Sequence, residues 1–217
     1  MEYEEYVPLK ETLKSLLWGQ LGKPSGFVGR IFGRLMTTSN ASAHDLTLEA
    51  ATIEANDRIL EIGFGGGALA EKALALAQGV TVRGVDTSEV MVGMANERLD
   101  GAVRVGRAEL ELGDVSSLPY ADESFEKALS VHSIYFWQNP VADLAEVQRV
   151  LVPGGLFVVT IDPTEPVQGA AAKLTGYSEW SEEATVAVLD HSGLVATGSK
   201  FEAGVGLVCA WGRKPVS

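Results

Sequence analysis

This sequence has one cysteine, three histidines and no run of lysine or arginine, and each shortage closes off a class of function. A single thiol, Cys209, cannot form an intrachain disulfide, and no cysteine–histidine spacing suited to a metal ion occurs. Cys209 lies in the apolar stretch 206–211, where a buried strand residue is expected. No segment approaches the roughly 20 apolar residues that cross a bilayer, so stable membrane insertion is not expected. The first ten residues, Met1–Lys10, are acidic and carry Pro8, which argues against a secretory signal and points to the cytoplasm. Acidic side chains outnumber basic ones 29 to 17, for a net charge of -12. Such a surface repels phosphate backbones, so a nucleic-acid partner is not expected either.

What is present is a good deal of apolar sequence and glycine. With 217 residues, 46% of them hydrophobic, the chain can bury one full α/β core. No internal repeat or low-complexity tract divides it. Residues 1–40 mix aromatics with Gly19, Gly22, Gly26, Gly29 and Gly33, and read as an N-terminal extension or lid holding one short helix over 9–17. Residues 41–217 read as the domain proper, opening with a helix over 42–52 capped by Ser42 or Asn40.

From Arg58 the pattern changes to alternating strands and helices. Strands are expected over 58–62, 80–85, 107–112, 127–131 and 156–161. Helices are expected over 68–77, from a Ser88 cap to about Val103, and over 141–150 up to Pro153-Gly154-Gly155. After a looser stretch, Ser181-Glu182-Glu183 opens a helix to about His191, and strands over 196–202 and 206–212 finish the chain. Five alternations imply a doubly wound, Rossmann-like, mostly parallel sheet of seven strands with an antiparallel final strand and helices on both faces. Such sheets bind ligands beyond the carboxyl ends of their strands. The polar groups at those ends are the glycine loop after the first strand, Asp86, Asp114 and His132.

The loop Gly63-Phe64-Gly65-Gly66-Gly67 lets the backbone turn sharply and approach a ligand, and the following helix offers unpaired N–H groups. A tight turn without a ligand would look similar. Asp86 ends the second strand about 20 positions later, where an acid can accept from a ribose diol. Because Gly63-x-Gly65-x-x-Ala68 also fits a dinucleotide fingerprint, an NAD(P)-dependent oxidoreductase is the alternative enzyme. Glu61 weighs against it: a carboxylate there repels a pyrophosphate but favours a ligand carrying ammonium and sulfonium charge.

Ile59-Leu60-Glu61-Ile62-Gly63-Phe64-Gly65-Gly66-Gly67 resembles the first motif of class I S-adenosylmethionine-dependent methyltransferases. Residues 113–126, beginning Gly113-Asp114-Val115 and including Leu118-Pro119, resemble the stretch after that family's third strand, and 146–155 the segment before its fifth. Together the resemblance spans roughly 56–162. It implies S-adenosylmethionine as cofactor and a small-molecule methyl acceptor. By position, Gly63 and Gly65 would line the methionine half with Glu61 near its ammonium. Asp86, with Thr87 beside it, would hold the ribose, and Met91 would pack on the adenine. Asp114 and the Val115 amide would meet the adenine amine, and Gly67 would serve helix packing. Val131 would border the site, and Met36 and Asn40 are lid candidates whose alternative is a plain loop turn. The family often has Asp where this chain has Glu126, a conservative departure.

The acceptor side is less constrained. His132 follows the fourth strand, at the mouth where an acceptor would meet the sulfonium. It is a candidate general base, the alternative being a hydrogen-bonded scaffold histidine. His44 and His191, on helices, are expected at the surface or at caps. Packing beneath the next helix is expected of Phe136, whereas Tyr135 and Trp137, with Trp18, Tyr177 or Trp180, are candidates for an acceptor pocket. Methyl transfer needs mainly alignment and exclusion of water, so the lack of a triad or metal does not count against catalysis. A module that binds the cofactor without turnover is the non-enzymatic alternative.

Overall fold

The computed structural model describes residues 40–166, 171–173 and 176–216. Trp18, Met36 and the expected helix over 9–17 lie outside the described residues. The elements run α1 (Ala41–Ala51), β1 (Arg58–Ile62), α2 (Ala68–Leu76), β2 (Thr81–Asp86), α3 (Glu89–Arg98), α4 (Asp100–Arg104) and β3 (Ala108–Leu112). They continue as β4 (Phe125–Val131), α5 (Pro140–Val150), β5 (Leu151–Ile161), α6 (Glu182–His191), β6 (Val195–Glu202) and β7 (Leu207–Arg213).

The strands form one seven-stranded sheet in the order β3-β2-β1-β4-β5-β7-β6. Pairing is parallel from β3 through β5, whereas β7 runs antiparallel to both β5 and β6. Six strands therefore share one direction, as the alternation implied. β1 is almost continuously buried because parallel central strands are covered on both faces. One cluster packs α5 and α6 on the sheet through Leu144, Val147, Val188 and Leu189. The other packs α1, α2 and α3 on the opposite face through Leu46, Leu69, Ala73 and Ala95.

Local chemistry sets the boundaries. Ser88 caps α3, accepting from the Met91 amide, and Ser181 caps α6, accepting from the Ala184 amide at 3.1 Å. The helix expected to run unbroken from Ser88 to Val103 instead breaks at Leu99, whose backbone leaves the helical region (φ −101°, ψ 16°). Leu99 stays buried in the core, beside Gly67 at the head of α2, while the chain turns away after it. β5 starts at Leu151, earlier than the sequence pattern indicates, and takes in Pro153-Gly154-Gly155. A register shift between Phe125 and Lys127 absorbs this segment as a bulge, the place where a strand tolerates proline.

The chain moves outward from β1 through β2 and β3, then returns to build β4 and β5 on the other side. The reversal falls between β1 and β4. Their carboxyl ends, with that of β2, flank the crevice where such sheets take ligands.

Candidate active site

The glycine loop leaves β1 through three left-handed residues, Gly63, Gly65 and Gly67 (φ 73°, 52° and 76°). They serve different ends. A Cβ on Gly63 would lie 2.4 Å from the Cβ of Ser133, so the loop after β4 is pressed against this one. Ser133 seals the contact by donating its hydroxyl to the Ile62 carbonyl at 2.9 Å. A Cβ on Gly67 would meet Ala95 of α3 at 3.0 Å, which makes it the packing glycine. A Cβ on Gly65 would meet nothing within 4 Å; it faces open space.

Two acids flank the loop. Asp86, at the end of β2, accepts from the Gly65 amide through Oδ2 and from the Ser88 amide through Oδ1, both at 2.9 Å. Burial still leaves its carboxyl above the usual range, with those two amides opposing. Two of its lone-pair directions stay available to a ligand. Glu61 is buried within β1, and its Oε2 has no hydrogen-bond partner among the described residues. Burial first, and the neighbouring Asp86 second, push the Glu61 carboxyl up to about 8. A native interior seldom leaves a buried carboxylate oxygen unmatched unless something else is to match it.

Other residues expected at the site lie along the same edge. Met91 is buried on the first turns of α3, and Thr87 lies between Asp86 and its Ser88 partner. Asp114 is exposed after β3, where one oxygen accepts from the Ser116 amide and hydroxyl, at 2.9 and 2.7 Å. Val115 begins the turn that follows, with its side chain buried. Val131 is the last residue of β4, paired with Thr160.

His132 adopts φ 52°, a left-handed conformation uncommon outside glycine, though histidine takes it more readily than most. Its amide donates to the Thr160 carbonyl at 2.9 Å, and its Nδ1 lies 3.1 Å from the Tyr135 hydroxyl. Burial lowers its pKa, against a smaller opposing pull from Asp162, so the ring is neutral at pH 7. Tyr135 is anchored by the Asp162 backbone and meets the buried Trp180 edge-on, with ring centres 6.3 Å apart. Trp137 lies against Phe157 of β5, and Tyr177 is exposed. Ile134, rather than Phe136, is the fully buried side chain of this turn.

His44 departs from expectation. It is buried, not at the surface, and burial together with Lys72 and His132 lowers its pKa to about 4. It shares a helical stripe with Thr47 and Ala51, a spacing of three and then four that marks an inward face. The same spacing is readable in the sequence. Thr47 bonds the Thr160 hydroxyl, so His44 and His132 both approach the carboxyl end of β5. His191 is exposed at the end of α6, with Nδ1 2.7 Å from the Ala187 carbonyl oxygen, as a terminal histidine should be.

A family model for a methyltransferase domain matches residues 60–159. The methyltransferase YdaC of Bacillus subtilis is 29% identical over 135 residues, which are 62% of this chain and 72% of YdaC. The 27-O-demethylrifamycin SV methyltransferase of Amycolatopsis mediterranei is 36% identical over 103 residues, 48% of this chain but only 38% of that enzyme. Among solved structures, a chain from the complex of the Haloferax volcanii Trm112 methyltransferase activator with a methyltransferase superposes with a TM-score of 0.70. That match is 19% identical and covers 86% of this chain and 94% of the other, a likeness of fold. Residues 60–159 are thus similar to a methyltransferase domain, and with the curated relatives this match supports a class I S-adenosylmethionine-dependent methyltransferase.

Proposed function

We propose that this protein binds S-adenosylmethionine at the loop 63–67 and transfers its methyl group to a small-molecule acceptor at the mouth between β1, β4 and β5. The observation that carries this reading is the buried, unmatched Oε2 of Glu61 beside Asp86. Two carboxyls drawn together in a buried crevice leave no place for an anion, and a ligand with cationic groups would stabilise them as carboxylates. A pyrophosphate-bearing dinucleotide is disfavoured on the same ground.

S-adenosylmethionine supplies an already activated methyl group. The protein's work is then to hold, orient and exclude water. Glu61 would balance the ammonium, and Gly63 with Gly65 would let the backbone approach the methionine half. Asp86 would use its remaining lone pairs on the ribose hydroxyls, with Thr87 alongside. Met91 would pack on the adenine, Asp114 and the Val115 amide would meet its polar edge, and Val131 would close the side nearest the acceptor. Met36 would contribute from the extension, with residues 1–40 acting as a lid over the domain at 41–217. Tyr135, Trp137, Tyr177 and Trp18 are assigned to the acceptor side. The net charge of -12 favours a small acceptor over nucleic acid, and the cytoplasm is the proposed location.

Calorimetric titration with S-adenosylmethionine, S-adenosylhomocysteine and NAD tests this directly. The first two should bind and NAD should not. Asp86→Ala should weaken both by at least about tenfold, since hydrogen bonds to a charged group are each worth roughly 1.5–3 kcal/mol. Unchanged affinity in that variant would remove the ribose from Asp86.

A further inference from the structure

The phenol of Tyr135 has one proton to give, and three neighbours bear on it. The Asp162 amide donates into the hydroxyl oxygen. The Asp162 carbonyl oxygen lies 3.4 Å away, near the outer limit for a hydrogen bond. His132 Nδ1 lies closer, at 3.1 Å. Burial raises the phenol above its ordinary pKa, so it keeps its proton. An amide N–H can only donate, which fixes that contact. Of the two remaining candidates for the phenol proton, the imidazole nitrogen is both nearer and the better acceptor. The proton therefore goes to Nδ1. A neutral imidazole that accepts at Nδ1 carries its own hydrogen on Nε2.

We propose that Tyr135 is a positioning residue that fixes His132 in the Nε2–H tautomer, so that His132 offers the acceptor a hydrogen-bond donor instead of drawing a proton from it. This rests on the methyl-transfer reading and deepens it at the acceptor. No described residue takes a hydrogen bond from Nε2, whereas Nδ1 is engaged by Tyr135. The His132 ring stacks beside Tyr135 with centres 6.2 Å apart, and the Asp162 amide anchors Tyr135 from behind. A site armed in this way suits an acceptor presenting an oxygen lone pair, from a carbonyl, carboxylate or phenolate. An acceptor of this kind that arrives already ionised needs no base from the protein.

The test is a long-range proton–nitrogen correlation spectrum of the uniformly 15N-labelled chain at pH 7, which reports the tautomer of each histidine ring. There are three histidines, and His132→Asn identifies the signals that disappear. Asn tolerates a left-handed backbone, so that variant should fold. The expected spectrum shows a pyridine-like Nδ1 and a pyrrole-like Nε2. Tyr135→Phe should release that constraint, so that the Nδ1 and Nε2 shifts move toward each other, as in a ring exchanging between its two tautomers. A pyrrole-like Nδ1 in the unmodified chain, or an Nδ1 shift indifferent to Tyr135→Phe, would overturn the assignment. The spectrum is taken without ligand, so its outcome is independent of cofactor binding. S-adenosylhomocysteine added afterwards should perturb the chain, and if it perturbs nothing the proposed function fails while the tautomer result stands.

Discussion

Thr47 of α1 and Thr160 of β5 meet hydroxyl to hydroxyl at 2.6 Å, both fully buried. Thr47 also donates to the Ala43 carbonyl at 2.7 Å, which uses its only proton. Thr160 must therefore be the donor between them. Thr47→Val strands the Thr160 hydroxyl, whereas Thr160→Val leaves Thr47 still donating to Ala43. We expect urea denaturation to show Thr47→Val destabilised by about 1–3 kcal/mol and Thr160→Val by less. The double variant should cost less than the two singles added together, because no hydroxyl is then left without its partner.

Gly63 and Gly65 share a backbone conformation but not a surrounding, and alanine should separate them. Both substitutions carry the cost of a left-handed alanine, about 1–2 kcal/mol. Gly63→Ala adds a collision with Ser133 that neither the Ser133 backbone nor β1 can yield to cheaply, so a marked fall in Tm is expected. Gly65→Ala meets open space, so stability should change by little beyond the backbone cost. Its loss should appear in cofactor affinity measured by calorimetry. If Gly63→Ala melts with the parent chain, the close approach of the two loops is wrong.

Glu61 makes a pH prediction with a definite sign. Its folded pKa stands at about 8, above the ordinary 4.5, so between those values the folded state holds a proton that the unfolded state has released. Unfolding free energy then falls as pH rises through that window, and the full penalty is present above it. Glu61→Gln cannot ionise. It should match the parent near pH 4 and exceed it at pH 8 by at least about 1.4 kcal/mol, the worth of one pKa unit. Denaturant melts at the two values check this, and a parallel pH dependence in both chains would sink it.

Much of the architecture was legible because its signals are local and repeated. The apolar runs of β1 and β5, the Ser88 and Ser181 caps and the loop 63–67 each carry a pattern of their own. What escaped depends on partners far along the chain. The break at Leu99 follows from its packing beside Gly67, and the early start of β5 follows from its pairing with Phe125. The burial of His44 is masked by its residue type, because a histidine on a helix reads as polar until its stripe with Thr47 and Ala51 is counted. Arg149 falls in a stretch matched by family resemblance, yet its work is structural. It donates to the carbonyls of Tyr120 and Leu118, at 2.7 and 3.0 Å, and to Glu146 and Asp122, tying the segment after Asp114 to α5.

The strand order has a bearing on how the chain assembles. β7 is made after β6, yet lies between it and β5, touching both. Until β7 arrives, the growing sheet ends at an uncovered β5, and β6 has no neighbour to join. The wedge that closes the sheet is thus the last of the sheet's strands to leave the ribosome. An intermediate halted before it would display a bare hydrophobic edge inviting another chain to dock there.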